Sequence, residues 1–233
     1  MELNIKQHNK KIKQMLDKQN ILKSIVLCFF ISCALIFSVF PKHASADNGK
    51  IAYSHVTDGY WQIWIMDTDG TNKKQVTHSH EDKRDPVWME RTKLAYRTNN
   101  GALFIVYLEQ QETREVFKTY QSINNPDYSS VHQRFVFVRF DPRFSDRSEI
   151  WTTDLDEKQA QILTRDKSLK YQPVFSSDGL SIAFVKADKE NKMQHHIWTM
   201  DTDGKNLKRI TSGKGFETHP SFSPDQKYIS FTS

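Results

Sequence analysis

The sequence predicts an all-β fold: a β-propeller of four-stranded antiparallel blades, about four to five of them, behind an N-terminal leader. Three observations predict it. Four residue columns repeat in phase over about 180 residues. The repeated strands are apolar on both faces, and turn residues separate them at regular intervals.

The repeat is anchored on Ile63-Trp64-Ile65-Met66-Asp67. It returns as Phe104-Ile105-Val106-Tyr107-Leu108, then Ile150-Trp151-Thr152-Thr153-Asp154, then Ile197-Trp198-Thr199-Met200-Asp201, in steps of 41, 46 and 47 residues. Upstream stands Pro-x-aromatic: Pro86/Trp88, Pro126/Tyr128, Pro173/Phe175 and Pro220/Phe222. Between the two lies a short apolar run ending in an aromatic at Tyr53, Tyr96, Phe137, Phe184 and Phe231. A fourth column, Val76, Phe117, Leu163 and Ile210, follows the second member of the anchor segment by twelve residues.

Each unit reads as four short strands, A to D: the proline strand, the apolar-aromatic run, the Ile-Trp segment, and the strand ending at the Val76 column. Ser176-Ser177-Asp178-Gly179 and Ser223-Pro224-Asp225-Gln226 turn A into B. Asp67-Thr68-Asp69-Gly70 and Asp201-Thr202-Asp203-Gly204 turn C into D, because glycine takes the positive φ such hairpins need. In strand C, Ile63 and Ile65 point one way and Trp64 and Met66 the other. A sheet greasy on both sides must be covered on both sides, which is how propeller blades stack. Proline in strand A suits an edge position, where its missing N–H costs nothing, and that edge would line the central channel. The count is four A, five B, four C and four D strands, seventeen in all. It leaves open whether residues 219–222 close the ring against the first repeat.

Residues 1–46 carry seven lysines and two acids, an uncharged run from Ile25 to Phe40, and Ala44-Ser45-Ala46. Basic, apolar and A-x-A segments in that order make a secretory signal peptide cleaved between Ala46 and Asp47. The alternative is a membrane anchor over residues 21–40, since a span needs about 20 apolar residues. The chain's formal charge of +5 belongs to this leader; residues 47–233 hold 26 basic and 26 acidic residues. A neutral surface argues against nucleic-acid binding, which needs cations to displace counterions. Both cysteines, Cys28 and Cys33, lie in the leader, so residues 47–233 hold together by their core alone.

The pattern Pro-x-aromatic-Ser-Pro-Asp-Gly, apolar-Ala-Phe, Ile-Trp-x-Met-Asp-x-Asp-Gly and a closing Ile-Thr resembles the TolB-type propeller repeat. It is fullest over Pro173–Thr211 and again over Pro220–Phe231, and most degraded over Gly101–Lys118. The resemblance implies a propeller of the cell envelope that acts through protein partners. The α/β domain of the namesake has no counterpart between Ala46 and the first blade. Related repeats also precede serine peptidase domains, but no G-x-S-x-G occurs in this sequence.

The best site candidates immediately precede the four prolines: Asp85, Asn125, Gln172 and His219. All are polar, all differ, and all would sit where strand A enters the channel, a place where rigid scaffolds concentrate binding. The Asp67/Asp69 and Asp201/Asp203 pairs read as hairpin turns rather than a calcium loop, which needs further oxygens and a twelfth-position glutamate. His78, His80, His195 and His196 lack zinc-site spacing and read as surface-loop residues. Trp64, Trp151 and Trp198 read as packing between blades. No cofactor or metal is expected. The function expected is non-catalytic binding of an envelope protein or peptide, with membrane contact only through an uncleaved leader. The alternative is a carbohydrate-active lyase or hydrolase, for which Asp85 and His219 are the nameable groups.

Overall fold

A computed structural model describes residues 49–117 and 122–233. The leader, with its Ala46/Asp47 cleavage site and the anchor reading of residues 21–40, lies outside them. Seventeen strands are described and no helix among the described residues. The first sheet is β1 (Lys50–Thr57), β2 (Tyr60–Asp67) and β3 (Lys74–Gln75). Three four-stranded sheets follow. The second holds β4 (Lys83–Glu90), β5 (Lys93–Thr98), β6 (Leu103–Tyr107) and β7 (Glu112–Val116). The third holds β8 (Ile123–Ser129), β9 (Arg134–Phe140), β10 (Ser148–Asp154) and β11 (Gln161–Ile162). The fourth holds β12 (Lys170–Phe175), β13 (Ser181–Ala187), β14 (His195–Asp201) and β15 (Lys208–Arg209). A two-stranded sheet, β16 (Thr218–Phe222) and β17 (Ile229–Thr232), ends the array.

This is the A-B-C-D order read from the repeat, with the first blade starting at strand B. Every pairing between the named strands is antiparallel and joins sequence neighbours. The prolines lie in β4, β8, β12 and β16, and in each sheet this strand is an edge. Ring closure through residues 219–222 is not formed: β16 pairs with β17, and β1 is the edge of its own sheet.

Strand pairing corrects the repeat in one place. Tyr53, Phe137 and Phe184 pair with Trp64, Trp151 and Trp198, and Tyr96 pairs with Phe104. Phe104 therefore stands at the tryptophan position, and Leu103 rather than Phe104 matches Ile63. The repeat in this blade therefore starts at Leu103, one residue earlier than the sequence alignment on Phe104–Leu108. The fourth column shifts with it: Val116, opposite Leu103, matches Val76, and Phe117 takes the following position. That position is Thr77, Thr164 and Thr211 in the other repeats, where each hydroxyl accepts the N–H of Ile63, Ile150 or Ile197. Phe117 enters the core instead, on a left-handed backbone (φ 57°).

The core lies between sheets. Ile63 and Ala52 meet Trp88, Leu94, Tyr96 and Val106 between blades one and two. Val87, Ile105 and Leu103 meet Phe135 and Phe137 between blades two and three, with Trp151 packed against them. Val136, Val138 and Ile150 meet Phe175, Ile182, Phe184 and Met200 between blades three and four, with Trp198 alongside. Trp151 and Trp198 thus pack between blades as expected. Trp64 has the outer face of the first sheet, where it meets His55 edge-on at 5.8 Å.

Candidate functional site

Each A strand carries the same irregularity. The register with strand B slips between Arg84 and Val87, Asn124 and Asp127, Tyr171 and Val174, and Thr218 and Ser221. Each slip is a β-bulge made of the polar residue and its proline. Asp85, Asn125, Gln172 and His219 all adopt left-handed backbone, with φ of 52°, 45°, 54° and 54°. That conformation costs an L-residue about 1–2 kcal/mol. It recurs in four blades, so it belongs to the architecture. A bulge frees one N–H from the ladder and re-aims one side chain.

Both consequences are visible. The Gln172 N–H donates to Asn125 Oδ1 (3.2 Å), and the His219 N–H donates to Gln172 Oε1 (2.8 Å). The freed N–H of one blade is satisfied by the re-aimed side chain of the blade before, as a buried donor requires. At the other end of the belt, Asp85 accepts from Arg97 Nε at 2.7 Å. Asp127, just past its proline, adds a second tie by accepting the Phe175 N–H at 2.8 Å. The structure therefore brings the four predicted residues onto one line along the inner strands. It also shows what polarity does there: the side-chain oxygens of Asn125 and Gln172 bind blade to blade. Each amide therefore accepts through its oxygen, which leaves its NH2 as the donor.

Two residues before each belt residue lies a buried set that the sequence reading missed: Lys83, Ile123, Lys170 and Glu217. Lys170 is fully buried, and its ammonium donates to the carbonyls of Ser148 (3.0 Å), Asp166 (2.8 Å) and Ser168 (2.9 Å). It also pairs with Asp166 Oδ1 at 2.9 Å, while Lys186 takes Oδ2 at 2.8 Å and lies over the Trp198 ring. Burial pushes the Lys170 ammonium down. Burial pushes Asp166 up, but hydrogen bonds from Lys186, Lys170 and Ser168 outweigh it and hold the carboxyl well below the usual carboxylate range. Lys83 repeats the motif, donating to the Glu81 carbonyl at 2.7 Å beside Gln62, whose amide donates to Ser79 and Glu81 carbonyls. Glu217 reverses the charge: it accepts from Thr211 and meets His196 Nδ1 at 3.2 Å. These groups pin the loops that lead into strands A. A charged residue at fixed offset from a core proline was the available sequence signal.

The histidine reading needs correction. His195 and His196 open β14 and are 5% and 1% exposed, so they are core residues and not surface-loop ones. The dipeptide is the first part of the strand itself, paired with Lys186 and Ala187 of β13. His195 Nε2 meets the Lys192 carbonyl at 3.0 Å and so carries the proton; Nδ1 then accepts from the Tyr171 hydroxyl at 2.6 Å. Burial pushes the His195 pKa down and that of Tyr171 up. The Asp-Gly turns are as read. Asp69 Oδ1 accepts from the Thr71 N–H and hydroxyl, and Asp67 and Asp201 each accept from the amide of Asn72 or Asn206 at 2.6 Å. Among the described residues no group of three or more His, Cys, Asp or Glu is arranged to hold a metal.

Comparison with known proteins agrees with this architecture. No curated protein sequence matches the chain. TolB from Acinetobacter baumannii superposes with a TM-score of 0.65 at 21% identity, over 86% of this chain and 50% of that one. An oligogalacturonate lyase solved in complex with manganese gives 0.62 at 16% identity, over 82% and 56%. A putative TolB from Agrobacterium tumefaciens gives 0.62 at 18% identity, over 80% and 72%. The chain thus spans about half the length of the first two structures, and at these identities the likeness is one of fold. Residues 102–233 match the family model described as the TolB beta propeller domain. On that match, covering more than half of the sequence, the chain belongs to the TolB β-propeller domain family.

Proposed function

We propose that the chain is an extracytoplasmic, non-catalytic module that binds a protein or peptide of the cell envelope along the belt of Asp85, Asn125, Gln172 and His219. One observation carries this reading: the bulged inner strands hold four different polar side chains in one repeated backbone geometry. With their oxygens engaged, Asn125 and Gln172 are held in fixed orientation, with their NH2 groups left to donate. Fixed donors suit the carbonyls of a peptide chain, and pre-organisation lowers the entropy cost of binding. The leader motivates the location; a mature N-terminus at Asp47 in the exported protein supports cleavage, and an intact leader rejects it.

A photo-crosslinking amino acid at His219 and, as control, at Lys74 on the outer edge tests the site in intact cells. The reading expects a discrete adduct at His219 that is lost when Asn125→Ala is added, and none at Lys74. Equal labelling at both positions rejects it. The competing reading is a carbohydrate-active enzyme, motivated by the fold shared with oligogalacturonate lyase. Its two nameable groups stand at opposite ends of the belt, with Asn125 and Gln172 between them, and Asp85 is bound by Arg97. Release of unsaturated uronate from oligogalacturonate by the purified protein, abolished by His219→Ala, would favour the enzyme.

A further inference from the structure

The outer strands differ in one respect that the repeat does not explain. Strands β3, β11 and β15 are two residues long, whereas β7 pairs with β6 over five residues, Glu112 to Val116. Short edge strands are a standard defence against pairing with another chain, and a five-residue edge gives that defence up. β7 is the outer edge of its sheet, and its first four residues are exposed. A groove of about 730 Å³ lies beside it, lined by Thr113–Phe117 and by the Leu155–Lys158 turn of the next blade, and β7 pairs with no described strand other than β6.

We propose that β7 is a self-recognition edge, on which a second copy of this chain adds its own β7 antiparallel about a two-fold axis at Thr113. Symmetry restricts the register. A two-fold axis normal to the sheet sets residues of like facing opposite each other, so the axis passes through a residue and not between two. Centred on Arg114, the pairing would oppose two arginines; centred on Glu115, two glutamates. Centred on Thr113, it places Glu112 opposite Arg114 of the second copy and Arg114 opposite its Glu112, with threonines facing at the centre. Opposite-charge and Thr–Thr cross-strand pairs are both favourable. Glu112 and Arg114 share the sheet face of their partners Tyr107 and Ile105. Of the other charges in the groove, Lys158 is held by Asp156 at 2.9 Å. The short β15 edge, Lys208-Arg209, offers only like charge to a copy of itself.

So small an edge buries less surface than a standard stable interface, and the association is weak and concentration-dependent. Sedimentation velocity of the purified protein over a concentration series reads it. The expected result is a doubling of mass with concentration at low salt, weakened at high salt because the exposed pairs are screened. Arg114→Glu should keep the protein monomeric, and Glu112→Arg with Arg114→Glu should restore the dimer by exchanging the charges. That rescue separates the edge from association through any other surface and from a folding defect. Under mild oxidation Thr113→Cys should form a linked dimer, and Glu115→Cys should not. A monomer at every concentration, or a dimer indifferent to Arg114→Glu, overturns the proposal.

Discussion

Asp166 shows how much can rest on a single loop carboxylate. It answers two lysines, one of them with no contact with water, and its pKa is held low in the folded protein. Its folded value lies below its unfolded value, so its contribution is complete above the ordinary carboxylate range. The contribution is lost as pH falls through that range toward the folded value. Asp166→Asn should therefore destabilise the protein at neutral pH by about 1–3 kcal/mol, the cost of leaving buried donors poorly answered. It should also flatten the loss of stability on acidification. Urea midpoints at neutral pH and near pH 4 measure both; an unchanged acid slope would mean that Asp166 is not linked to folding. None of this was legible beforehand, because Asp166, Lys167 and Ser168 read as any polar loop. The belt residues were legible as positions, from their place before the prolines. Their left-handed backbone was not, since Gln172 and His219 carry no glycine-like signature.

At the scale of strands, legibility followed contrast. Ile-Trp segments with Asp-Gly turns fixed their own phase, and the structure pairs them as read. The second repeat failed because Leu103-Phe104-Ile105-Val106-Tyr107 is apolar at every position and no Asp-Gly turn follows, so either phase buries greasy side chains. Only the pairing of Phe104 with Tyr96, 5.7 Å between ring centres, resolves it. The same logic ranks the tryptophans. Trp151 packs against the core between blades two and three, whereas Trp64 lies on a face that no other described sheet covers. Trp151→Ala should cost about 3–5 kcal/mol, the usual range for emptying a large aromatic site. Trp64→Ala should cost clearly less. Equal shifts in chemical denaturation midpoint would show that the outer face of the first sheet is covered in solution.

At the scale of the whole, residues 49–117 and 122–233 form a series of separate sheets, each bonded within itself and packed against the next in sequence. Such an array distributes stability along one dimension, so protection should follow the number of covered faces and not the position in sequence. β9 and β13 sit inside four-stranded sheets and hold runs of fully buried residues, Phe135–Val138 and Ile182–Val185. In β17 the counterpart of Phe184 is Phe231, 42% exposed, and Ile210 at the last D strand is 43% exposed where Leu163 is 7%. The belt adds a polar term in the same direction, since the ties from Asn125 to Gln172 and from Asp127 to Phe175 join the third and fourth blades. Native-state hydrogen exchange should accordingly find the slowest amides in β9 and β13, with β5 close behind. β1–β3 and β16–β17 should open at lower free energy and without the rest. If Asn125→Ala is introduced, protection in β12 and β13 should fall while that in β5 holds. Equal exchange across all seventeen strands would instead mean one all-or-none unit, in which the blade-to-blade contacts are stronger than the contacts within a blade.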